Sequence, residues 1–334
     1  MNPLRLLPPE TAHKFVLCAV KHKLAPAAAP DDPATRIELF GKTFRNPVGL
    51  AAGADKNAEA LVGWARLGFG FVEAGTVTRH PRQGNPKPRL WRLGGGHIVN
   101  WMGLPNKGMN YFVTQLQRFQ SAPERKSLVI GASISSPESS MDDLRALAAA
   151  IAPLADYLTI NVSCPNVDAH DNSAAALQEQ VKAVVDEAGT TPVLIKLAPE
   201  TDKNTLQKTV QSVLSAGAKG LIATNTMPWS KHGRLGSTPF DWPQSNGTPV
   251  GGYSGPLLLD TTRHMVRDLR DIAGTAIPVI GCGGVQSGED AETLFSAGAN
   301  AVQIYTGLIY KGAKLIADIN RTYCARRQQG HPPA

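Results

Sequence analysis

The sequence predicts an α/β fold, a (β/α)8 TIM barrel with a short N-terminal helical extension. Three observations carry this expectation. Eight short apolar or β-branched runs recur from Asn46 onward, at residues 47–52, 70–76, 128–133, 157–162, 192–197, 220–224, 278–281 and 301–305. Segments with helical apolar spacing alternate with them, among them 142–155, 174–188, 205–216 and 290–297, and such alternation builds a parallel sheet covered by helices. The turn after the first run lacks the Gly-x-Gly-x-x-Gly fingerprint of the rival open doubly wound sheet, and eight units is the count of a barrel.

The 334 residues divide into an extension and linker at 1–36, a barrel at 37–325 and a tail at 326–334. Hydrophobic content of 42% and charged content of 18% are those of a soluble globular protein. The four cysteines, Cys18, Cys164, Cys282 and Cys324, form no metal-ligand or disulfide spacing, which suits a reducing cytoplasm and gives no metal site. A net charge of +7 admits nucleic acid, an anionic membrane surface or anionic small ligands. The basic residues are scattered without a run of five, so a local anion site is favoured and no nucleic-acid partner is expected. No apolar segment approaches the roughly 20 residues that span a bilayer, and the N-terminus lacks the apolar core of a signal peptide.

Within the extension, Ala12, Phe15, Val16, Ala19, Val20 and Leu24 recur at helical spacing, with His13, Lys14, Lys21 and His22 largely on another face. Such a basic amphipathic helix either lies at a membrane surface, peripheral to it, or caps the domain with its apolar face. Residues 25–33 then form a Pro/Ala linker. Further on, two connections are too long for plain turns, 79–126 after the second strand and 227–276 after the sixth. Long insertions at the carboxyl ends of barrel strands build lids and substrate walls.

Function in a barrel collects where strands end. Those ends read Ala51-Ala52-Gly53-Ala54-Asp55-Lys56, Gly75-Thr76, Ser133, Asn161 with Cys164 and Asn166, Lys196, Thr224-Asn225-Thr226, Gly283-Gly284 and Tyr305-Thr306-Gly307. Together they describe a pocket for a flat, polar ligand. At the fourth end, the Asn161–Asn166 run places a thiol between two amides on a turn fixed by proline. A thiol can exchange a proton and amides can hold a planar ligand by paired donors and acceptors; a buried cysteine beside an ordinary turn is the plainer alternative.

After the seventh and eighth strands, Gly283-Gly284 with the helix start Ser287-Gly288-Glu289-Asp290, and Tyr305-Thr306-Gly307, form the expected phosphate site. The alternative is that these glycines only relieve crowding. Lys56 and Lys196 lie at strand ends in uncharged surroundings. Beside a phosphate site they read as partners for anions, Lys196 for a cofactor ring that becomes anionic on reduction and Lys56 for a substrate carboxylate.

As a set, these residues resemble the flavin-dependent dihydroorotate dehydrogenases, most closely their membrane-associated, quinone-using class. The resemblance runs over nearly the whole chain: the helix at 7–23, Asn46-Pro47 through Asn57, Gly75–Thr78, Gly84–Arg89, Asn161–Asn166, Thr224–Thr226, Ile280–Val285 and Val302–Tyr305. It implies FMN at the barrel mouth, held by Ala52, Gly53, Thr76, Ser133, Asn161, Lys196, Thr224, Gly252, Gly283, Gly284, Tyr305 and Thr306. It implies that Lys56, Asn100, Met102, Gly103, Leu104, Asn161, Asn166, Asn225 and Thr226 bind dihydroorotate and orotate. Lys56 and Cys164 are the catalytic pair it implies, with Cys164 taking the C5 proton while hydride passes from C6 to flavin N5, and quinone as the electron acceptor.

The chain departs from that class in places. Cys164 stands where the quinone class has serine and the soluble class has cysteine, Trp101 replaces an arginine, and Ser133 replaces an amide facing the flavin and substrate. The loop 167–176 also differs. These departures leave two alternatives open: a diverged FMN oxidoreductase for another dihydropyrimidine or cyclic amide, or a non-catalytic FMN-binding paralogue.

Overall fold

Strands buried on both faces read as mostly apolar runs, and six of the eight are buried at every residue, the longest being Phe71–Val77 and Val129–Ile134. In the computed structural model, which describes residues 6–162, 174–231 and 241–330, the parallel strands are β1 (Val48–Leu50), β2 (Phe71–Val77), β3 (Val129–Ile134), β4 (Tyr157–Asn161), β5 (Val193–Leu197), β6 (Gly220–Ala223), β7 (Val279–Cys282) and β8 (Ala301–Ile304). They pair in sequence order and close, with Val302 of β8 opposite Val48 of β1. Each lies within two residues of its expected run.

Helices α1 (Pro9–Lys21), α2 (Leu61–Arg66), α3 (Met109–Gln120), α4 (Met141–Ile151), α5 (Ala174–Ala188), α6 (Lys203–Ser215), α7 (Leu258–Ala273), α8 (Gly288–Ser296), α9 (Thr306–Lys311) and α10 (Lys314–Gln328) surround them. Side-chain caps start three of these: Ser140, Asp202 and Ser287 accept from the backbone N–H of Asp143, Thr205 and Asp290. α10 runs through the residues expected as the start of a tail at 326, and Arg326 pairs with Glu292 of α8.

The amino-terminal end of the barrel is plugged by a hairpin of Ile37–Leu39 and Lys42–Phe44 that sequence periodicity did not reveal. Its Phe44 ring meets Phe71 at 5.2 Å between centroids and Phe40 meets Tyr157 at 6.0 Å, both at the first residues of their strands. Above this plug the barrel interior is polar. Glu73 accepts from Thr159 and from Gln303, each at 2.9 Å.

At the other end, the two long insertions meet. Leu90–Leu93 and His97–Asn100 from the first join Met227–Pro228 and Gly252–Ser254 from the second in one antiparallel sheet, with Gly252 opposite Asn100. Val99, Met227, Tyr253 and Leu258 give this sheet its own small core. The insertions are shorter than expected, because the latter parts of the long connections are the ordinary barrel helices α3 and α7.

The extension forms α1, whose apolar face splits. Ala12 and Val20 pack inward, while Phe15 and Val16 remain 58% and 38% exposed. Its docking on α2 needs a glycine: a Cβ on Gly63 would lie 2.0 Å from the Val20 carbonyl oxygen. No helix among the described residues is long and apolar enough to cross a membrane.

Candidate active site

Polar side chains that end different strands turn toward one another. The Thr76 and Ser133 hydroxyls lie 2.8 Å apart, Asn161 donates from Nδ2 to Thr76 Oγ1 at 3.1 Å, and Asn225 donates from Nδ2 to Asn161 Oδ1 at 3.1 Å. Asn225 Oδ1 in turn accepts from the Thr226 N–H at 2.9 Å. This ladder spans the ends of β2, β3, β4 and β6, and it fixes which way each amide faces.

Beside it, the loop after β1 is folded around a buried carboxylate. Asp55 accepts from the N–H groups of Glu59 and Ala60, each at 2.8 Å, and from the Trp64 indole at 3.2 Å. That loop presents Lys56, whose Nζ donates to the Gly53 carbonyl at 2.6 Å. Burial pulls the Lys56 ammonium down to about 8 from its ordinary 10.5, and the Glu10 carboxylate opposes the fall.

Lys196 lies opposite Asn161 in the β4–β5 register and is only 5% exposed. The Cys282 thiol near it is raised by burial, an effect the lysine's charge opposes. The following Gly283 and Gly284 take φ of +146° and +83° and pass so close to α7 that a Cβ would meet Thr262 Oγ1 or the Leu259 backbone at 2.4 Å. Relief of crowding is therefore part of their role. Next to them, Thr306 opens α9 with its hydroxyl 2.8 Å from that of Ser254.

The start of α8 differs from the expected anion site. Asp290 accepts from the Gln286 N–H and Asp318 from the Gly288 N–H, each at 2.8 Å. Carboxylates of this chain already occupy that end, leaving the Gly283–Gly284 turn and Thr306 as the candidate phosphate cradle.

One cavity of about 780 Å³ joins these groups, within the size range of small-molecule sites. Its wall includes Ala52, Gly53, Lys56, Thr76, Asn100, Met102, Leu104, Asn161, Lys196, Thr224, Asn225, Thr226, Gly283, Gly284, Tyr305 and Thr306. Three expected residues stand behind that wall instead. Ser133 is fully buried under Thr76, Gly252 pairs with Asn100 in the lid sheet, and Gly103 packs on the turn at Asn85. Trp101 is not on the wall either. Cys164 and Asn166 lie outside the described residues.

Sequence reasoning missed the α1 side of the cavity, where Glu10, His13 and Val16 form part of the wall. Glu10 binds Arg89 through two contacts, at 2.7 and 3.3 Å. The Arg92 guanidinium likewise reaches the Leu7 carbonyl. The only sequence signal was an acidic first turn in α1, which any helix can carry.

A family model described as dihydroorotate dehydrogenase matches residues 35–325, the whole barrel with its lid. The chain belongs to the dihydroorotate dehydrogenase family. A Rhodopseudomonas palustris (strain BisA53) protein named dihydroorotate dehydrogenase (quinone) is 39% identical to it over 333 residues, covering 95% of this chain and 88% of its own. A Methylococcus capsulatus protein of the same name is 38% identical, covering 96% of both chains. Among solved structures, the ligand-free DHODH of Eimeria tenella superposes with a TM-score of 0.85 at 29% identity, covering 97% of each chain. The same enzyme in complex with ferulenol gives 0.83 over 96% of this chain and 92% of its own. The relatives' matches cover nearly the full length of the chain, whereas the family model begins at residue 35.

Proposed function

We propose that this protein is an FMN-dependent dihydroorotate dehydrogenase that oxidises dihydroorotate to orotate and delivers the electrons to a quinone at a membrane surface. The observation that carries the reading is the Thr76–Asn161–Asn225 ladder sharing one cavity with Lys56. Amides with fixed orientation suit the donor and acceptor edges of a pyrimidine ring, and an ammonium suits its carboxylate.

The residues present fit FMN. The cavity offers a small-residue floor at Ala52 and Gly53, hydroxyls at Thr76, Thr224 and Thr306, the buried Lys196 ammonium and the Gly283–Gly284 turn. Those residues, with Asn161, Gly284 and Tyr305, would hold the cofactor, and Lys196 would balance negative charge on its ring. Bound FMN supplies the acceptor for the hydride lost from C6 of the substrate and the route by which electrons leave.

The remaining work falls to the chain. Lys56 holds the substrate carboxylate, Asn100, Asn161, Asn166, Asn225 and Thr226 hold the ring, and Met102 and Leu104 close the apolar side. Cys164 takes the C5 proton, so the C5–H and C6–H bonds are replaced by the C5–C6 double bond of orotate. A thiol, with an ordinary pKa of about 8.5, reaches its basic form near neutrality far more readily than a serine hydroxyl.

A peripheral position at the inner face of the cell membrane is supported by the exposed rim of the cavity. Phe15 and Val16 of α1 and Ile309 of α9 both line the cavity and face solvent, at 58%, 38% and 41% exposure. Apolar groups around an opening suit a lipid-borne acceptor.

The reading for another dihydropyrimidine rested on Trp101, Ser133 and the loop 167–176. Neither Trp101 nor Ser133 is on the cavity wall, which favours the dihydroorotate reading over this one. A panel of dihydropyrimidines tested for anaerobic bleaching of the FMN-loaded protein decides between the readings. Dihydroorotate preferred by a wide margin supports the proposal, and preference for another ring overturns it. Bleaching by any ring that the protein turns over disposes of the non-catalytic paralogue.

A further inference from the structure

We infer that Glu10 is a positioning residue for the substrate half of the reaction, coupling the seating of α1 to the grip of the substrate pocket through Arg89 and Lys56. The inference rests on the function proposed above and adds a role for a residue on the quinone-side helix.

Two arms run from this one carboxylate into the pocket. In the first, Glu10 receives the Arg89 guanidinium through Nη2 at 2.7 Å and Nε at 3.3 Å. Arg89 is itself buried and donates from Nη1 to the carbonyls of Gln83 at 2.6 Å and Asn85 at 3.0 Å. The Asn85 N–H then bonds the Met102 carbonyl at 2.9 Å, and the Arg89 carbonyl accepts from the Trp101 N–H at 2.8 Å. The guanidinium thus clamps a turn against Trp101 and Met102, and Met102 and the neighbouring Asn100 belong to the cavity wall. Among the described residues, the Arg89 guanidinium donates only to that turn and to Glu10, so α1 completes the clamp.

The second arm is electrostatic. The charged groups acting on the Lys56 ammonium are Glu10 from α1, Arg89 from the first insertion and Asp55 from its own loop, and its own charge acts on His13 of α1. Glu10 opposes the burial that lowers Lys56 and Arg89 adds to it. Glu10 is held ionised by the Arg89 hydrogen bond, with Lys87 and Lys14 contributing. The Glu10 carboxylate of a docked α1 therefore favours the cationic form of Lys56 as well as holding the turn.

A carboxylate lost from a partly buried pair leaves its partner without compensation. With Glu10→Gln, the Lys56 pKa falls below about 8 and the clamp loosens. The test is orotate binding to full-length, FMN-loaded protein, read from the change in flavin absorbance across pH, with Glu10→Gln and Glu10→Asp compared to wild type. Glu10→Gln is expected to weaken orotate roughly tenfold or more at neutral pH, and to move the alkaline loss of affinity to lower pH. Glu10→Asp keeps a negative charge near Lys56 but withdraws it from Arg89, so it should weaken binding while leaving the alkaline limb in place. Unchanged affinity and unchanged pH dependence in Glu10→Gln would overturn the inference, whether or not α1 stays docked. Absence of orotate binding by the wild-type protein would instead count against the proposed function.

Discussion

Asn225 donates to Asn161 at 3.1 Å across the ends of two strands, β6 and β4, that do not pair with each other. The closed barrel alone makes this contact, because β5 separates the two strands and only curvature brings their ends together. Removing the donor therefore disturbs the ladder without touching a strand. Asn225→Ala strands the Asn161 Oδ1 acceptor, a cost of about 1–3 kcal/mol where no water replaces the donor. Orotate affinity should fall ten- to a hundredfold while FMN stays bound, as measured by flavin absorbance titration and cofactor retention on gel filtration.

Lys56 predicts a pH limit. Its pKa lies at about 8, against an ordinary 10.5, because burial disfavours the ammonium. The charged form that pairs with a carboxylate predominates below that value and is lost above it. Affinity for orotate should hold below pH 8 and decline as pH rises beyond it. Lys56→Met should bind weakly at every pH and lack this limb, which the same titration run across pH checks.

His13 predicts the opposite limb for the docking of α1. Burial, aided by the Lys56 charge and opposed by Glu10, holds its imidazole down to about 3 from the ordinary 6.5. Because the docked pKa is the lower one, protonation favours the undocked helix. The His13 contribution is complete above pH 6.5 and is lost as pH falls from there toward 3. Cleavage of the 22–36 linker by an acid-tolerant protease should be faster at pH 5 than at pH 7, and His13→Gln should flatten that dependence.

The contact between α1 and α2 makes a steric prediction. A side chain at Gly63 meets the Val20 carbonyl, so Gly63→Val should release α1 and leave the barrel folded. Thermal unfolding of the barrel should change little, while linker proteolysis accelerates and quinone reduction falls with it.

The barrel was legible because its strands are buried on both faces and so print mostly apolar runs on the sequence. β1 and β6, which carry no polar side chain, are the clearest cases. The lid sheet was not legible, since Gly252 pairs with Asn100 and nothing in either stretch announces a partner so distant in sequence. α3 and α7 escaped notice because their buried residues include Gln115 and Thr262, which blur the apolar stripe.

In the site, polar residues at strand ends were readable as a group because barrel geometry gathers them. Depth was not readable. Ser133 closes the expected third run like any other rim residue, yet register places its hydroxyl under Thr76 and not on the cavity wall. The α1 side was missed for a related reason: Glu10 acquires meaning only from Arg89, 79 residues away. The apolar stripe of α1 was seen as one face, whereas docking divides it between the barrel and the exposed rim of the cavity.

The central claim is that this cavity oxidises dihydroorotate with its own bound FMN, and stoichiometry tests it most directly. FMN-loaded protein is titrated anaerobically with dihydroorotate, and bleached flavin and released orotate are counted together, before and after a quinone is added. The account predicts one orotate formed for each flavin bleached, with colour restored by the quinone. Fully loaded, folded protein that neither bleaches nor yields orotate would contradict it.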